Sequence, residues 1–350
     1  MVRTGGSSAN DMKTPVNITS PDTIHSQAVT VESWDNLFRY WQDKDSQLDW
    51  SCIFTLPVWL KSWWESFGKG HDPYICAVWE NQQLIGIAPF MREGNNAHIM
   101  ASPDLTDYTD LIVVPGQESH FLSILLTHLR QEGIDSVYPG QMRPDSSICS
   151  ELKAVAQNLR FTISHLPAER IYEVALPRTW EDYLRLLSGR ERHEIQRKLR
   201  RLYEAGRITY RVVEEKKDVQ SAMDVFIRLF RSNTPEKAGF MDTFKESFFR
   251  SLAEVLADAR MIRLSFLDID GTPAAATMCF DFRSTVYLYN NGYNEKYRAL
   301  SVGLLSKVFS IRHSIELGRG RYDFLKGDEP YKIRLGGSPV QLCDCRIRLI

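Results

Sequence analysis

The sequence predicts an α+β protein of two consecutive lobes, each a mixed, mostly antiparallel sheet flanked by helices. Length is the first observation behind this prediction, because 350 residues suffice for two or three ordinary domains. The second is a repeated order of elements, since helix, hairpin, strand, helix and strand occur twice along the chain. The third is a pair of proline-containing segments, 166–168 and 176–177, between the two copies. The alternative is one large α+β domain.

The repeat is seen by placing the elements in order. In the first copy they are a helix at 57–67, strands at 74–79, 84–91 and 110–114, a helix at 121–129 and a strand at 136–138. In the second they are a helix at 242–252, strands at 261–267, 274–282 and 285–290, a helix at 301–317 and a strand at 322–325. Asp270-Gly271 is a strong hairpin turn signal. We therefore predict a disordered lead over residues 1–28, a first lobe over 29–167 and a second over 168–350.

Composition excludes several classes of function. The formal net charge of −1 provides no global basic field for nucleic acid or membrane binding. We find no signal peptide and no apolar run of membrane-spanning length, and the six scattered cysteines contain no CxxC pair. These features predict a cytoplasmic protein. No metal is expected, because His193 has no ligand at a suitable spacing and nothing near Cys343 and Cys345 completes a zinc site.

The segment 297–305 joins a strand to the start of a long helix. A helix N-terminus exposes unpaired N–H groups and a partial positive charge, which suit a pyrophosphate. The small residues Ser301 and Gly303 would let phosphate oxygens approach the backbone, and Arg298 adds a cation. In the alternative, Ser301 only caps the helix and Gly303 only permits close packing.

Residues 321–332 combine a short strand with a loop crowded by ionisable side chains. General acid–base catalysis needs one group that accepts a proton and another that supplies one. Asp323 and Glu329 are candidate bases, and Tyr331 is a candidate acid. In the alternative, Asp323 pairs with Lys332 or caps a backbone turn.

A basic helix is predicted over 190–204. It carries six Lys or Arg and three Glu, a net charge of +3. Arg192 and its neighbours would suit an anionic ligand such as CoA phosphates, a nucleotide-linked sugar or tRNA. The alternative is a solvated surface helix with ion pairs such as Glu194 with Lys198.

Three segments resemble motifs of the GNAT superfamily of acyltransferases. Arg298-x-x-Ser301-x-Gly303 is similar to the pattern Arg/Gln-x-x-Gly-x-Gly/Ala that binds the CoA pyrophosphate, with Ser301 where Gly is usual. Residues 321–332 resemble the CelD-like acetyltransferases associated with cellulose biosynthesis, which are related in fold to FemAB-type aminoacyltransferases. Residues 107–110 resemble the first lobe of that family. The resemblance covers roughly residues 170–335 and, more faintly, 50–115.

The resemblance implies two tandem GNAT-like lobes and an N-acyltransferase that uses acetyl-CoA or another acyl-CoA. Its acceptor would be a small-molecule or polysaccharide amine, with no stable nucleic-acid partner. The backbone at Tyr289 and Asn290 would polarise the thioester carbonyl. The implied pyrophosphate ligands are Arg298, Ser301, Val302 and Gly303, and the implied substrate contacts are Lys332 and Arg192. Two alternatives are a FemAB-like transferase that uses aminoacyl-tRNA and a degenerate, non-catalytic binding module.

Overall fold

The computed structural model describes residues 26–350. Most of the lead predicted for residues 1–28 lies outside the described residues, but Gln27 and Ala28 already belong to the first strand. None of the helices in the described part of the chain has the length and apolar character needed to cross a bilayer.

Thirteen strands form one continuous sheet. In the first half of the chain they are β1 Gln27–Val31, β2 Asp72–Glu80, β3 Gln83–Glu93, β4 Asn96–Ile99, β5 Ile112–Val113, β6 Ser136–Met142 and β7 Thr162–Ala175. In the second half they are β8 Ile208–Val213, β9 Ile262–Ile269, β10 Thr272–Phe282, β11 Thr285–Tyr293, β12 Arg321–Lys326 and β13 Ser338–Arg348.

Eleven α-helices flank this sheet in the described chain. The first four are α1 Trp34–Gln42, α2 Pro57–Phe67, α3 Glu118–Gln131 and α4 Ser147–Asn158. The others are α5 Trp180–Leu186, α6 Gly189–Glu204, α7 Lys216–Arg231, α8 Pro235–Phe240, α9 Thr243–Asp258, α10 Val302–Glu316 and α11 Pro330–Arg334. Short 3₁₀ turns lie at Ile53–Thr55 and Glu295–Leu300.

The sheet shows that the chain is built from two copies of one plan. Its order is β1-β2-β3-β4-β6-β13-β7-β12-β11-β10-β9-β8, with β5 beside β3. Each copy contains one parallel pair of strands, β4 with β6 and β11 with β12, and the other pairings are antiparallel. Helix α3 connects the first parallel pair and α10 connects the second. The predicted fold class of two tandem α+β lobes is confirmed.

The two lobes exchange their last strands. β7 follows the first copy of the repeat but pairs with β12 of the second, whereas β13 ends the second copy and pairs with β6 of the first. β7 and β13 also pair with each other, from Thr162↔Arg348 to Glu173↔Ser338. The predicted lobe boundary between residues 167 and 168 therefore falls inside β7.

Three apolar cores hold the helices on the sheet. In the first lobe, helices α3 and α4 pack on the sheet and form one core. In the second lobe, helices α5, α6 and α10 pack on the sheet and form another. A third core joins the lobes, since α2 of the first lobe packs against α9 of the second, with Trp59 against Phe248 at 5.9 Å. This third core therefore contains residues of both lobes.

Local chemistry explains the hairpins. The predicted Asp270-Gly271 turn is present, with φ of +49° and +77°, and joins β9 to β10. The predicted third strand of the first lobe is only the two-residue β5, because β4, which the sequence pattern did not reveal, occupies the place beside β6. A four-residue strand between two turns is too short for a clear alternation of polar and apolar side chains.

The close approach of α7 to β11 generates a prediction. A Cβ atom at Gly292 would lie 2.5 Å from Phe230 Cα and 2.6 Å from the carbonyl carbon of Leu229. Because both atoms belong to helix backbone, Gly292→Ala must displace α7, and we expect a loss of about 1–3 kcal/mol in the free energy of unfolding. Thermal and urea unfolding of the purified variant would measure it.

Gly189→Ala is the matched control for this experiment. Gly189 begins α6, and nothing lies within 4 Å of its added Cβ, so alanine should leave stability unchanged or slightly raised. Equal midpoints for the two variants would contradict the packing described for Gly292.

Candidate active site

The centre of the second lobe is a place where two parallel strands separate. β11 and β12 pair only at Thr285↔Arg321, Val286↔Tyr322 and Tyr287↔Asp323. Beyond Tyr287, β12 turns away through an irregularity at Leu325, whose φ of +59° is left-handed. On its other edge β11 bulges against β10 at Tyr289, since Leu288 pairs with Cys279 and Asn290 with Met278. The strands therefore leave a cleft between them.

Two buried side chains hold the turn that opens this cleft. Asp323, 1% exposed, accepts a 2.8 Å hydrogen bond from the backbone N–H of Leu325. Lys332, also 1% exposed, donates to the carbonyl of Leu325 at 3.0 Å and to that of Lys326. Thus Asp323 caps the turn, as one alternative held, whereas Lys332 is paired with Glu329 at 3.0 Å and not with Asp323.

A cavity of about 330 Å³, here called the splay cavity, lies at this opening. Its lining comes from the end of β11, from the 3₁₀ turn and the first two turns of α10, from α8 and the residues just before it, and from the segment that follows β12. The lining residues used below are Asn233, Lys237, Asn291, Arg298, Ser301, Val302, Gly303, Leu304, Lys307, Glu329 and Tyr331. Four of the six predicted cofactor contacts are thus brought together, and Tyr289 and Asn290 lie on the β11 strand that borders the cavity.

Ser301 is the residue at which α10 begins. Its φ of +57° is left-handed, a conformation that costs most residues roughly 1–2 kcal/mol and that glycine adopts freely. Its side chain makes no capping bond but accepts a 2.7 Å hydrogen bond from Lys198 Nζ of α6. Gly303 lies against Tyr293, because an added Cβ would come within 2.7 Å of that ring. Of the alternatives, Ser301 holds the N-cap position without capping, and the close packing at Gly303 is present.

Cationic groups surround the opening. Lys307 Nζ is buried and donates to Asn291 Oδ1 at 3.1 Å and to the Gly303 carbonyl at 2.7 Å. Burial, followed by the like charge of Lys237, lowers the pKa of Lys307 to about 7. Burial also lowers the pKa of Lys237 to about 8, and its ammonium donates to the carbonyl of Asn291. Arg298, 78% exposed, reaches into solvent at the rim.

Glu329 and Tyr331 line the same cavity. The Glu329 side chain is 55% exposed, and its carboxylate is fixed by the buried Lys332. Burial, followed by the Glu329 charge, raises the pKa of Tyr331 well above its usual value, so its hydroxyl stays protonated at neutral pH. The phenol ring lies 4.6 Å from Lys307 Nζ. A base and an acid of the predicted kinds are therefore close to the splayed strands.

Asp323 faces a different cavity, of about 530 Å³, between the two lobes. Here Tyr108 donates to Asp323 Oδ2 at 3.3 Å, and Arg143 lies 3.9 Å away. Burial raises the pKa of Asp323 to about 7 and that of Asp110, another residue of this interlobe cavity, likewise to about 7. No residue lines both cavities. The two predicted bases thus belong to separate sites.

The segments 107–110 and 321–332, which both resemble family motifs, meet at the lobe interface. Asp107 accepts a 2.8 Å hydrogen bond from the backbone of Lys326, next to the irregular turn of β12. Tyr289 donates its hydroxyl to the carbonyl of Leu105 at 3.0 Å, so its side chain points away from the cleft. The first lobe therefore supports the strands of the second from behind.

The basic helix α6 lies beside the start of α10. The predicted pair of Glu194 with Lys198 is present at 3.2 Å, and Lys198 also reaches Ser301. Arg201 donates to the carbonyl of Ala299 at 3.4 Å. Arg192 lines neither the splay cavity nor the interlobe cavity. The helix therefore carries surface ion pairs, as the alternative held, and it also contacts the segment predicted to bind a pyrophosphate.

Sequence reasoning missed the lysines and asparagines of the splay cavity. Lys237 and Asn233 come from the α7–α8 region, far along the chain from the motif segments. Lys307 did leave a signal, because it is the only charge in the apolar run 302–311 and so lies on a buried helix face. Such a lone buried charge is a marker of function.

Comparison with known proteins finds similarity to one family model and to several solved folds. Residues 189–333 match the model of the acetyltransferase (GNAT) domain. The matched range lies in the second lobe and includes the cleft, so this lobe is similar to a GNAT acetyltransferase domain. No curated protein matches the sequence.

Several solved structures share the fold. FemX has a TM-score of 0.63 at 12% identity, over 91% of this chain and 96% of its own. A protein of unknown function from Bacteroides thetaiotaomicron has a TM-score of 0.56 at 12% identity, over 91% and 99%. L-PGS from Bacillus licheniformis has a TM-score of 0.51 at 11% identity, over 83% and 90%. At these identities the likeness shows the fold.

The raised pKa of Asp323 predicts how stability depends on pH. Its value is about 7 in the folded protein and about 3.9 in an unfolded chain, so the folded state binds the proton more tightly. This carboxyl therefore destabilises the fold progressively as pH rises from about 4 to about 7. In Asp323→Asn that loss should disappear, so the variant gains stability relative to wild type as pH rises from 4 to 8.

Urea unfolding at several pH values would measure the difference in free energy of unfolding between the two proteins. Asp110→Asn should change the curve in the same direction, because the pKa of Asp110 is also raised to about 7. Parallel stability curves for wild type and Asp323→Asn would show that the interlobe carboxyl is not protonated as described.

Proposed function

We propose that the protein is an N-acyltransferase that moves an acetyl or longer acyl group from acyl-CoA to an amine. The observation that carries this proposal is the divergence of β11 and β12 beyond Tyr287 and Asp323, with the start of α10 at the mouth of the resulting cavity. The match of the second lobe to the acetyltransferase (GNAT) domain supports the same chemistry.

The cavity suits an acyl-CoA in three ways. The edge of β11 that β12 leaves can pair with the two amides of the pantetheine arm, as an added strand would. The N–H groups of Val302 and Gly303 begin a fifteen-residue helix, where a pyrophosphate is favoured, with Arg298 at the rim. Asn233 Oδ1 is buried beside the cavity without a hydrogen-bond partner among the described residues, so a ligand N–H could satisfy it.

The reacting carbonyl would lie against the bulged backbone at Tyr289 and Asn290. Since the Tyr289 side chain is held on the first lobe, only backbone groups at this position face the cleft. A backbone N–H aimed at the carbonyl oxygen stabilises the oxyanion that develops during attack.

The reaction then needs two proton transfers. The acceptor nitrogen bonds to the acyl carbon, the carbon–sulfur bond breaks, and the nitrogen proton passes to Glu329. Tyr331 supplies a proton to the departing thiolate and is reprotonated from Glu329 through solvent. Lys332 acts on the substrate indirectly by fixing Glu329, and Arg192 would meet an acceptor only outside the cavity.

A second candidate function is transfer from an aminoacyl-tRNA. The contact of Lys198 with Ser301 places the basic helix α6 directly beside the mouth of the cavity, where a nucleic-acid backbone would meet its other cations. The acceptor nitrogen would again attack an acyl carbonyl, here that of an ester, and the carbon–oxygen bond would break so that the ribose hydroxyl leaves with the proton that a thiol would otherwise take.

Binding of the donor provides the first test. Acetyl-CoA should raise the thermal midpoint of the wild type, by a stabilisation of about 2.7 kcal/mol at a concentration 100 times the Kd. Leu304→Glu should abolish this effect, because it places a carboxylate beside the phosphates while remaining compatible with the first turn of a helix. Gly303 is less suitable for this purpose, since any side chain there collides with Tyr293.

Leu304→Gln is the control, because glutamine has the shape of glutamate without its charge. This variant should retain most of the rise in thermal midpoint that acetyl-CoA causes. Calorimetry should give one donor per chain. In the first lobe the corresponding helix α3 begins with the acidic Glu118. No shift with any acyl-CoA, together with stabilisation by aminoacyl-tRNA, would favour the second candidate function, and no shift with either would contradict both.

The assignment of the base provides the second test. Glu329→Gln should lower kcat by roughly 10²–10⁴-fold with little change in donor affinity, because the proton acceptor is lost while the shape is kept. Rates of CoA release with an amine panel, measured against pH, would show this. Asp323→Asn should keep kcat, since Asp323 faces the interlobe cavity and the amide oxygen can still accept the hydrogen bond from the Leu325 N–H that holds the turn.

Asp328→Asn is a matched control from the same loop, because Asp328 does not line the splay cavity and instead accepts a 2.8 Å hydrogen bond from Tyr172. A normal rate for Glu329→Gln would remove Glu329 from the mechanism. Loss of the rate in Lys307→Met, with Glu329→Gln normal, would transfer the role of base to the lysine.

A further inference from the structure

A second constellation of reactive side chains lies far from the splay cavity, on the exchanged strands. Cys149 of α4, His165 of β7 and Cys343 of β13 have ligand atoms that all lie within 4.8 Å of one another. Among the side chains that the structure describes, this is the only set of three Cys, His, Asp or Glu residues that meets so closely. The sequence pattern did not indicate it, because the three residues come from distant segments of the chain.

We propose that this cluster is a binding site for a thiophilic divalent cation of the Zn²⁺ class. Two thiolates and one imidazole are the ligands that Zn²⁺ prefers in proteins. Tetrahedral coordination with Zn–S near 2.3 Å and Zn–N near 2.0 Å separates a sulfur from a nitrogen by about 3.6 Å. Cys149 Sγ and His165 Nε2 lie 3.7 Å apart, so these two ligands are already at coordination spacing.

The backbone around the site is set by regular structure rather than by loops. β7 and β13 are paired here, with Cys345 opposite His165 and Cys343 opposite Pro167. Cys149 lies in the first turn of α4, where its N–H is held by the Ser146 hydroxyl at 3.2 Å. Ligands carried by paired strands and a capped helix turn are preorganised for an ion.

The remaining coordination position is also accounted for. His165 is exposed, so water can enter from its side. Cys345 lies two residues from Cys343 on the same face of β13 and is buried. Water or the Cys345 thiol would therefore complete four-coordination. On binding, each ligating thiol releases its proton to solvent, and no electron is transferred.

The position of the site suggests its role. It would join α4 of the first lobe to both exchanged strands, and α4 begins beside Asp145 and Ser146, which line the interlobe cavity. A bound ion would therefore fix the wall of that cavity and the junction of the lobes. The site is structural in this account and is independent of the proposed acyl transfer.

Cobalt(II) is a suitable probe, because its absorption reports both geometry and sulfur ligation. The reduced, chelator-treated full-length protein should bind one Co²⁺ per chain, with the visible bands of a tetrahedral complex and a near-ultraviolet thiolate-to-cobalt band. Zn²⁺ should displace it and raise the thermal midpoint. Cys343→Ser and His165→Gln should each weaken binding by more than the roughly 10–100-fold that loss of a supporting partner costs.

Cys52→Ser and His193→Gln are the controls, because these residues lie outside the cluster, and both should bind Co²⁺ as wild type does. His165→Gln guards against misfolding, since it alters an exposed side chain. The proposal is overturned if the wild type binds no stoichiometric Co²⁺ or Zn²⁺. It is also overturned if Cys343→Ser and His165→Gln fold and bind the metal as tightly as the wild type. A third contrary result is a Cys149–Cys343 disulfide in the unreduced protein, seen as a mass 2 Da lower that maps to these two residues.

Discussion

The pairing of β7 with β13 is the constraint on which the rest of the structure depends. Each strand closes the sheet of the lobe to which it does not belong in sequence, so neither lobe has a complete sheet without the other. β12 is held on its outer edge by β7, including the pair Lys326↔Ile171 beyond the irregularity at Leu325. Because that outer edge remains anchored, the inner edge of β12 can leave β11 and open the splay cavity without unravelling the sheet.

Left-handed backbone and buried charged side chains occur together where the cleft opens. Leu325 and Ser301 both have left-handed backbones, and neither is glycine. Such conformations persist only where the surroundings hold them, and here Asp323 and Lys332 bond to the turn at Leu325 while Lys198 bonds to Ser301. The buried Asp323 and Lys332 side chains are thus explained by the backbone that they fix, and their hydrogen bonds to it preorganise the site.

Sequence reasoning succeeded where the determinants are local and failed where they are not. The Asp270-Gly271 hairpin and the start of α10 after Ser301 follow from turn and helix signals within a few residues. The strand exchange leaves no local signal, because β13 has the same alternation whichever strand it pairs with. For the same reason, the spacing of residues in the sequence could not assign Asp323 to the interlobe cavity. Nor could it predict that Lys237 approaches Asn291, which lies 54 residues away in the chain.

The two lobes also differ in a way that explains why one cleft is open. β4 and β6 repeat the parallel pair of the second lobe and likewise pair at only three positions, from Asn96↔Ser136 to His98↔Tyr138. Beyond them, Thr109 takes up the edge of β6, donating its backbone N–H to the Gln141 carbonyl at 2.7 Å and its hydroxyl to the Pro139 carbonyl at 2.7 Å. The first lobe therefore fills its own gap with its own chain. The same segment, through Asp107, supports the turn of β12, so closing the first cleft and holding the second open are two consequences of one loop.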